Sequence, residues 1–499
     1  MSQISKIEIQ SYLVNGYLPT IGIECHVQLK TKTKLFSSVS NEARGAEPNT
    51  LVNHICFGLP GALPVLNKQA VKLAAKAAYA LGTKPQKFSK FDRKHYFYPD
   101  LPKGYQISQF DEPIILGGHI SIYLEDGSER NVNITRAHME EDAGKSTHPA
   151  GADYSLVDLN RAGTPLLEIV SEPEMHNAFE AKAFAKELWL RMKYSGVSDV
   201  DLYHGNMRFD VNVSVSKDFE KLGTRSETKN LNSFKSVERA VEFEIKRQID
   251  LLEKQIPIVQ ETRGWIDDKQ ITVSQRSKED AHDYRYFPDP DIPPIILDDT
   301  YLNDLEKTLN IMPDEWRIKL KDIGLDRLQI ENLLESQVEF NTDFLSLVTS
   351  NTPEKSKLYA NWVANIEVPL RRLKAEDGEI EIDNDKRRYI FEGVSELYND
   401  NKVSSNSVKT IIEELLLKSS LPDSVEAYAE SKGYIQMSDS NDLETVVDLI
   451  LNDNPKPVED VKNGEMKAIG FLVGQAMKAS MGKANPAEIQ KIIKSKLGV

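Results

Sequence analysis

The stretch Ile21-Gly-Ile-Glu-Cys-His-Val-Gln-Leu-Lys30 alternates apolar and polar side chains without a break. This period of two is typical of a β-strand with one buried face, because successive side chains of a strand point to opposite sides of the sheet. We therefore predict a half-buried strand with Glu24 and His26 together on its polar face. Cys25 should point into the core and so not form a nucleophile pair with His26.

Two later runs, at residues 207–215 and 224–231, repeat this alternation. The same reasoning places charged side chains of both runs on polar strand faces. Any antiparallel sheet with one solvated face shows this pattern, so the alternation alone does not require a ligand. The polar-face side chains include Arg208, Asp210, Arg225, Glu227 and Lys229.

A β-hairpin is predicted between the first strand and these later runs. Alternating apolar residues flank the turn pair Asp126-Gly127, and this combination is a strong short-range signal for a hairpin. The second arm leads to a group of titratable side chains at the end of a strand. They are His138, Glu140, Glu141 and Asp142.

The side chains of this polar face favour a hard metal ion. Carboxylates with a single imidazole and no thiolate suit Mg²⁺ or Mn²⁺ better than a structural zinc. Magnesium in proteins commonly holds nucleotide phosphates, and Arg208 and Lys229 are candidates to neutralise a transferred phosphoryl group. Ordinary ion pairs are the alternative interpretation of the same residues.

The length and composition indicate several domains. A single core stops growing at roughly 250 to 300 residues, and this chain has 499 residues. All nine histidines lie before residue 283, and a proline cluster at 288–294 interrupts helices and strands alike. We predict an α+β domain over residues 1–293, a helical domain over 294–402 and a helical tail over 403–499.

The last part of the chain is basic although the protein is acidic. The net charge is -15, whereas Val461 to Val499 contains seven Lys and two Glu. A nucleic-acid contact and a solvated helix face are the two interpretations of this segment. Within it, Asn485 is predicted to cap a helix that begins at Pro486.

The composition also excludes several classes of protein. No apolar run approaches the roughly 20 residues that cross a bilayer, so no membrane role is predicted. Met1 to Gly16 shows no signal for secretion or organelle import, which favours the cytoplasm. Cys25 and Cys56 are the only cysteines, so the chain cannot form a disulfide framework or a four-cysteine zinc site.

Two stretches mix aromatic and basic residues. They are Arg93-Lys-His-Tyr-Phe-Tyr-Pro99 and Tyr284-Arg-Tyr-Phe-Pro288. Such stretches can stack on bases and hold phosphates, although core packing is the more common use of aromatic rings.

Long motifs throughout the chain resemble the GatB family, which forms the second subunit of the tRNA-dependent amidotransferases. They occur in the same order as in that family and span nearly the whole chain. The motifs are Ile21-Gly-Ile-Glu-Cys-His-Val-Gln-Leu29, Gly58-Leu-Pro-Gly-Ala-Leu-Pro-Val-Leu-Asn67, Lys90-Phe-Asp-Arg-Lys-His-Tyr-Phe-Tyr-Pro-Asp100, His138-Met-Glu-Glu-Asp-Ala-Gly-Lys145, Asp158-Leu-Asn-Arg-Ala-Gly-Thr-Pro165, Glu227-Thr-Lys-Asn-Leu-Asn-Ser-Phe234, Asp283-Tyr-Arg-Tyr-Phe-Pro-Asp-Pro-Asp291 and Lys467-Ala-Ile-Gly-Phe-Leu-Val-Gly-Gln475.

The resemblance implies an enzyme that uses ATP and Mg²⁺ to convert Glu-tRNA(Gln) or Asp-tRNA(Asn) into the amide. It implies a cradle domain around an antiparallel sheet, similar to glutamine synthetase and guanido kinases, then a helical domain and a YqeY-like tail that binds tRNA. It also implies a heterotrimer with two partners, an amidase that supplies ammonia from glutamine and a small third subunit.

The resemblance further implies site residues. The magnesium ligands of the family match Glu24, His26, Glu141, Asp210 and Glu227. The position of Lys229 in the alternating strand pattern adds it to this set as a candidate phosphate contact. Many relatives have four zinc-binding cysteines in the first domain. Only one of these cysteines remains in this chain, so no zinc site is expected here. The corresponding positions are Ser37, Val39, Asn53 and Cys56.

Two other functions remain open at this point. A non-catalytic tRNA-binding factor would retain the fold without the acidic set, whereas Glu24, His26 and Asp210 are all present. A ligase or kinase acting on a small-molecule carboxylate would not need the aromatic and basic stretches or the basic tail.

Overall fold

The computed structural model describes residues 6–149, 151–277, 283–339, 343–374, 382–436, 440–480 and 484–499. The chain divides into two compact units, Met1–Pro313 and Asp314–Val499. This division falls later than the first predicted domain boundary. The domain limits at residues 293 and 402 stay predictions.

The first unit is built on one large mixed sheet, which together with the helices confirms the predicted α+β class. In the described residues this sheet has 12 strands, with the order β14-β13-β12-β11-β1-β10-β7-β4-β3-β15, and β5 and β6 also pair with β7. Two small sheets pair β16 with β2 and β8 with β9. The strands are β1 (Leu18–Gln28), β2 (Phe88–Ser89), β3 (Asp92–His95), β4 (Tyr105–Ser108), β5 (Ile115–Leu116), β6 (His119–Tyr123), β7 (Glu129–Glu141), β8 (Lys145–Thr147), β9 (Leu156–Asp158), β10 (Pro165–Ser171), β11 (Met207–Ser216), β12 (Ser226–Leu231), β13 (Glu261–Ile266), β14 (Ile271–Ser277), β15 (Phe287–Pro288) and β16 (Ile295–Ile296).

The first predicted strand, β1, lies at the centre of this sheet, antiparallel to β10 and to β11. Its alternation is confirmed, because Ile23, Cys25 and Val27 are buried while Glu24 and His26 are only partly buried. The predicted hairpin is also confirmed as β6 and β7. One face of the central strands is therefore apolar and the other holds the charged side chains.

Helices cover the apolar face. In α4, Val237, Val241, Ile245 and Ile249 recur at helical spacing and are buried, and α3 and α4 pack against β6, β11 and each other. Both helices begin with a side-chain cap, since Asn177 accepts a hydrogen bond from the backbone N–H of a first-turn residue and Ser233 does the same. The helices of this unit are α1 (Lys6–Tyr12), α2 (Lys68–Ala80), α3 (Ala178–Tyr194), α4 (Phe234–Glu253) and α5 (Asp299–Glu306).

The described residues of the second unit are mainly helical, with turns, short irregular connections and isolated bridge residues between the helices. The predicted cap at Asn485 is confirmed, since its side chain accepts from the backbone N–H of Ala487 and the helix begins at Pro486. The helices are α6 (Pro313–Asp322), α7 (Arg327–Glu339), α8 (Phe344–Thr349), α9 (Pro353–Trp362), a π-helical turn (Val363–Glu367), α10 (Val368–Lys374), α11 (Asn384–Asn399), α12 (Ser405–Leu417), α13 (Val425–Ser431), α14 (Ser440–Asp453), α15 (Pro455–Lys462), α16 (Lys467–Ala479) and α17 (Pro486–Leu497). Among the helices that the structure describes, none is both long enough and apolar enough to span a membrane.

A buried ion pair holds the π-helical turn to α11. Arg387 and Glu367 are both fully buried, and the Arg387 Nη2 and Glu367 Oε1 atoms lie 2.8 Å apart. Glu367 also accepts from Arg371 Nε at 2.9 Å. Removing one partner of such a pair leaves an uncompensated charge in the core, which is far more costly than the pair's own contribution suggests.

We expect Arg387→Met to lower the free energy of unfolding of the helical unit by about 3 to 5 kcal/mol. The matched control is Arg372→Met, which breaks the exposed pair with Glu339, where Nη2 and Oε2 are 2.7 Å apart, and should cost less than about 1 kcal/mol. Urea unfolding followed by far-ultraviolet circular dichroism measures both variants. Equal losses in the two variants would contradict the prediction.

Candidate active site on the polar face of the sheet

A cluster of two histidines and two glutamates lies on the polar face, where β1, β10 and β7 are adjacent. The antiparallel register sets His26 opposite Glu168, and Glu168 opposite His138. Glu140 follows His138 by two residues on β7 and therefore projects from the same face. Three strands thus deliver four titratable side chains to one place.

The distances within this cluster are short enough for a shared ligand. His26 Nε2 lies 3.2 Å from Glu168 Oε2 and 3.7 Å from Glu140 Oε1. His138 Nε2 lies 3.7 Å from Glu140 Oε2 and 3.9 Å from Glu168 Oε2. One potential ligand atom each from His26, Glu140 and Glu168 lies within 4.8 Å of the other two. We call these three residues the His26 cluster.

The electrostatics of the His26 cluster favour its charged forms. Burial disfavours the imidazolium of His26, but the hydrogen bond and charge of Glu168, with the charge of Glu140, outweigh burial and raise the pKa of His26 to about 9. Burial would raise the pKa of Glu168, yet His138 and His26 together hold it well below its usual range. The carboxylates of Glu140 and Glu168 are therefore both held in the ionised form.

A second acidic cluster lies beside the first, around Lys229. The Lys229 Nζ atom is 3.0 Å from Asp210 Oδ2 and 2.8 Å from Glu227 Oε1. Glu24 lies opposite Asp210 in the β1–β11 register and accepts from Asn212 Nδ2 at 3.0 Å. The predicted carboxylates of β1, β11 and β12 are thus on one face, and two of them pair with the ammonium of Lys229.

Glu24 is influenced by both clusters. Burial comes first among the causes that raise its pKa, and the negative charges of Glu168 and Glu227 add to it, while Lys229 opposes the shift. The pKa of Lys229 is itself raised, because the charges of Asp210 and Glu227 outweigh the effect of burial. A carboxylate between two anionic groups gains from any additional cation on this face.

The predicted metal ligands therefore fall into three places. His26 belongs to the His26 cluster, whereas Glu24, Asp210 and Glu227 lie around Lys229. Glu141 projects from the opposite side of β7, because it is next to Glu140 in the strand.

Two other predicted side chains already have partners. The Glu141 carboxylate pairs with Lys103 and accepts from the backbone N–H of Ile107 at 2.9 Å. Arg208, predicted as a phosphate contact, donates to Asp142 Oδ2 at 3.3 Å. The roles of these residues stay predictions, since their placement alone does not test them.

Sequence reasoning missed Glu168 and did not choose Glu140. Glu168 is a single glutamate within the otherwise apolar run Pro165-Leu-Leu-Glu-Ile-Val-Ser171. A lone acidic residue in an apolar strand is costly unless it is paired, and that signal could have identified it. Choosing between Glu140 and Glu141 required the strand phase of β7, which the motif by itself does not give.

The two aromatic and basic stretches lie next to each other at the β3 side of the sheet. Phe287 of β15 pairs with Arg93 of β3, and the Phe110 and Tyr286 rings stack with centroids 3.8 Å apart. Lys94 Nζ lies 4.8 Å from the centroid of the Tyr284 ring. The rings are thus largely occupied with one another, and binding of nucleic acid here stays a prediction.

The loop whose positions match the zinc-binding cysteines of many relatives is held by packing and by a buried lysine. Lys34 is fully buried, and its Nζ donates to the carbonyl of Leu51 at 2.7 Å and lies 3.5 Å from Cys56 Sγ. Ser37 Oγ lies 3.7 Å from the same sulfur. A resident ammonium with one thiol does not match the four-ligand set that a structural zinc requires.

The His26 cluster, in contrast, fits a divalent cation. Carboxylate oxygens and one imidazole are ligands that Mg²⁺ and Mn²⁺ accept, and binding the ion would displace the proton that the raised pKa of His26 retains. The two largely buried carboxylates present negative charge that a cation would balance. No similar group of three ligands appears elsewhere in the part of the chain that the structure describes.

Known proteins resemble this chain over both of its units. A model of the GatB/GatE catalytic domain matches residues 19–303, and a GatB domain model matches residues 343–497. The chain is 44% identical over 487 residues to the B subunit of the aspartyl/glutamyl-tRNA(Asn/Gln) amidotransferase of Carboxydothermus hydrogenoformans, covering 96% of this chain and 99% of that protein. It is 44% identical over 480 residues to the protein of the same name from Alkalilimnicola ehrlichii, covering 96% and 98% respectively.

Proposed function

The chain belongs to the GatB family, and from this membership we propose that it catalyses ATP-dependent amidation of a misacylated Glu-tRNA(Gln) or Asp-tRNA(Asn). A carboxylate is a poor acyl donor at neutral pH, so its oxygen first attacks the γ-phosphorus of ATP and ADP leaves. Ammonia then attacks the resulting acyl phosphate, inorganic phosphate leaves, and the side-chain amide remains.

The observation that carries this proposal is the His26 cluster beside a second acidic group on one sheet face. His26, Glu140 and Glu168 would hold a magnesium ion, which when bound supplies positive charge for phosphoryl transfer. Other charged side chains of this sheet face position the residues of the His26 cluster and its neighbours. Lys229 fixes the carboxylates of Asp210 and Glu227 through ion pairs. The His138 ring lies next to the carboxylates of Glu140 and Glu168, with its Nε2 atom 3.7 and 3.9 Å from them.

Partners follow from the family. The relatives are named as one subunit of an amidotransferase, so this chain is part of a complex of several subunits. We propose that an amidase partner releases ammonia from glutamine, that a small third subunit completes a heterotrimer, and that the tail contacts tRNA. We also propose that the reaction takes place in the cytoplasm, because its substrate is an aminoacylated tRNA.

Family membership does not favour the two alternative functions. A non-catalytic tRNA-binding factor would not require a largely buried set of two carboxylates and an imidazole, which costs stability when nothing binds it. A small-molecule ligase would not match this family over nearly the full length of the chain.

The experiment that tests this function is reconstitution with the two partner subunits. We expect glutamine, ATP and Mg²⁺ to convert Glu-tRNA(Gln), Asp-tRNA(Asn) or both into the amide, and each misacylated tRNA is supplied separately. Chromatography of the amino acid released from the tRNA measures the product. If neither tRNA yields an amide while the partner still hydrolyses glutamine, the proposed function is wrong.

A further inference from the structure

Lys94 lies on the same face of the sheet as the His26 cluster. In the β3–β4 register Lys94 is opposite Gln106 and Asp92 is opposite Ser108, and in the β4–β7 register Ser108 is opposite Glu140. Residues opposite each other, or two apart, project from one face. The Lys94 side chain therefore extends from β3 toward the carboxylate of Glu140.

Two tyrosine rings lie close to the Lys94 ammonium. Its Nζ lies 4.8 Å from the centroid of Tyr284 and 5.8 Å from that of Tyr96, within the range of a cation–π contact. Burial opposes the charged form of Lys94, yet the charges of Glu140 and Glu168 raise its pKa, so the ammonium is retained. The rings hold a cation beside the cluster.

Lys94 differs from Lys229 and Arg208 because its ammonium has no carboxylate partner. No Asp or Glu oxygen of the described residues comes within 4.0 Å of Lys94 Nζ, and no side-chain hydrogen bond engages it. In contrast, two carboxylates bind Lys229, and Asp142 binds Arg208. Arg136 also lacks a carboxylate partner, but its guanidinium donates to the backbone carbonyls of Phe110 and Gln109. Lys94 is thus a cation beside the His26 cluster whose donors stay available for an incoming anion.

We propose that Lys94 is a catalytic residue that contacts the phosphoryl group transferred from ATP to the substrate carboxylate. This inference rests on the proposed function and replaces Lys229 and Arg208 in the role of phosphate contact. As the bond between the γ-phosphorus and the bridging oxygen breaks and the bond to the carboxylate oxygen forms, ADP leaves with the electron pair. Lys94 donates hydrogen bonds to a transferring oxygen and keeps its proton throughout.

Nucleotide binding separates this role from a structural one. The reconstituted complex with Mg²⁺ is titrated with ADP and with AMP-PNP, which has a γ-phosphate that is not transferred. In Lys94→Met we expect AMP-PNP to bind about 10- to 100-fold more weakly, while ADP binding stays within about threefold, because only the γ-phosphate loses a charge-assisted contact. Lys94→Arg keeps the charge and should retain most of the AMP-PNP affinity.

The affinity for Mn²⁺ is an independent measurement, because the substitution of Lys94 should strengthen Mn²⁺ binding while it weakens AMP-PNP binding. Removing a cation beside Glu140 and Glu168 should tighten Mn²⁺ binding by about threefold or more, measured by electron paramagnetic resonance without nucleotide. The matched control is Lys90→Met, which removes a lysine paired with Asp111 at 2.6 Å and should change neither affinity.

The outcomes are distinguishable. Selective loss of AMP-PNP affinity together with tighter Mn²⁺ binding supports the proposal. Unchanged AMP-PNP binding, or equal weakening of ADP and AMP-PNP, overturns it. If Lys94→Met does not fold, as judged by its thermal unfolding, Lys94→Gln repeats the titrations with the same expectations. If the wild-type complex neither binds AMP-PNP nor forms amide, the proposed function itself has failed.

Discussion

Glu168→Gln is expected to lower the rate of amidation by about 1,000-fold or more, because a neutral amide cannot balance a metal ion or pair with His26 and His138. The wild-type carboxylate is 3.2 Å from His26 Nε2 and 3.9 Å from His138 Nε2. The substitution keeps the shape of the side chain, so the fold should persist. The reconstituted complex with saturating ATP and misacylated tRNA gives the rate.

The control for this prediction is Glu172→Gln. Glu172 follows the end of β10, and its carboxylate accepts from Thr135 Oγ1 at 2.7 Å, away from the His26 cluster. Glu172→Gln removes one negative charge from the same part of the sequence as Glu168→Gln. It should leave the rate of amidation within about threefold of the wild-type rate, as expected of a surface substitution. A loss of similar size in both variants would show that net charge, and not the cluster, governs the rate.

Glu140→Gln and Glu141→Gln are expected to differ although the two residues are neighbours. Glu140 projects into the His26 cluster, so Glu140→Gln should weaken Mn²⁺ binding by at least about tenfold. Substituting a residue that only hydrogen-bonds to a metal ligand can already cause a loss of this size. Glu141 projects from the other side and pairs with Lys103, so its change should leave Mn²⁺ affinity within about threefold. Titration followed by electron paramagnetic resonance compares the two.

This comparison also decides between two assignments. The family motif supports Glu141 as the ligand, and the strand phase of β7 supports Glu140. Loss of Mn²⁺ binding in Glu141→Gln with normal binding in Glu140→Gln would refute the cluster as the metal site. Measuring the melting temperature of both variants shows whether a loss follows from unfolding.

Much of the central sheet could be predicted from the sequence. The alternation in β1 and β11 correctly placed Glu24, His26 and Asp210 on one face, since strand periodicity is a local property of the backbone. The turn pair Asp126-Gly127 correctly located the hairpin. These predictions required no knowledge of which strands are neighbours.

The composition of the site depended on long-range pairing and could not be predicted in the same way. Glu168 reaches His26 only because β10 lies between β1 and β7, and strand order is not encoded in any local pattern. Lys94 is distant from Glu140 in the sequence, and the β3–β4–β7 pairing brings it to the same face. The predicted ligand set, Glu24, His26, Glu141, Asp210 and Glu227, therefore stays a prediction, and only the strand pairing brings Glu168 and Glu140 to His26.

The most direct test of the central proposal locates the metal ion itself. Crystals of the reconstituted complex grown with Mn²⁺ are measured at the manganese absorption edge, and an anomalous difference map gives the position of the ion. The proposal predicts one peak among His26, Glu140 and Glu168. A peak at Glu141, or a peak among Glu24, Asp210 and Glu227 with none at His26, would contradict it.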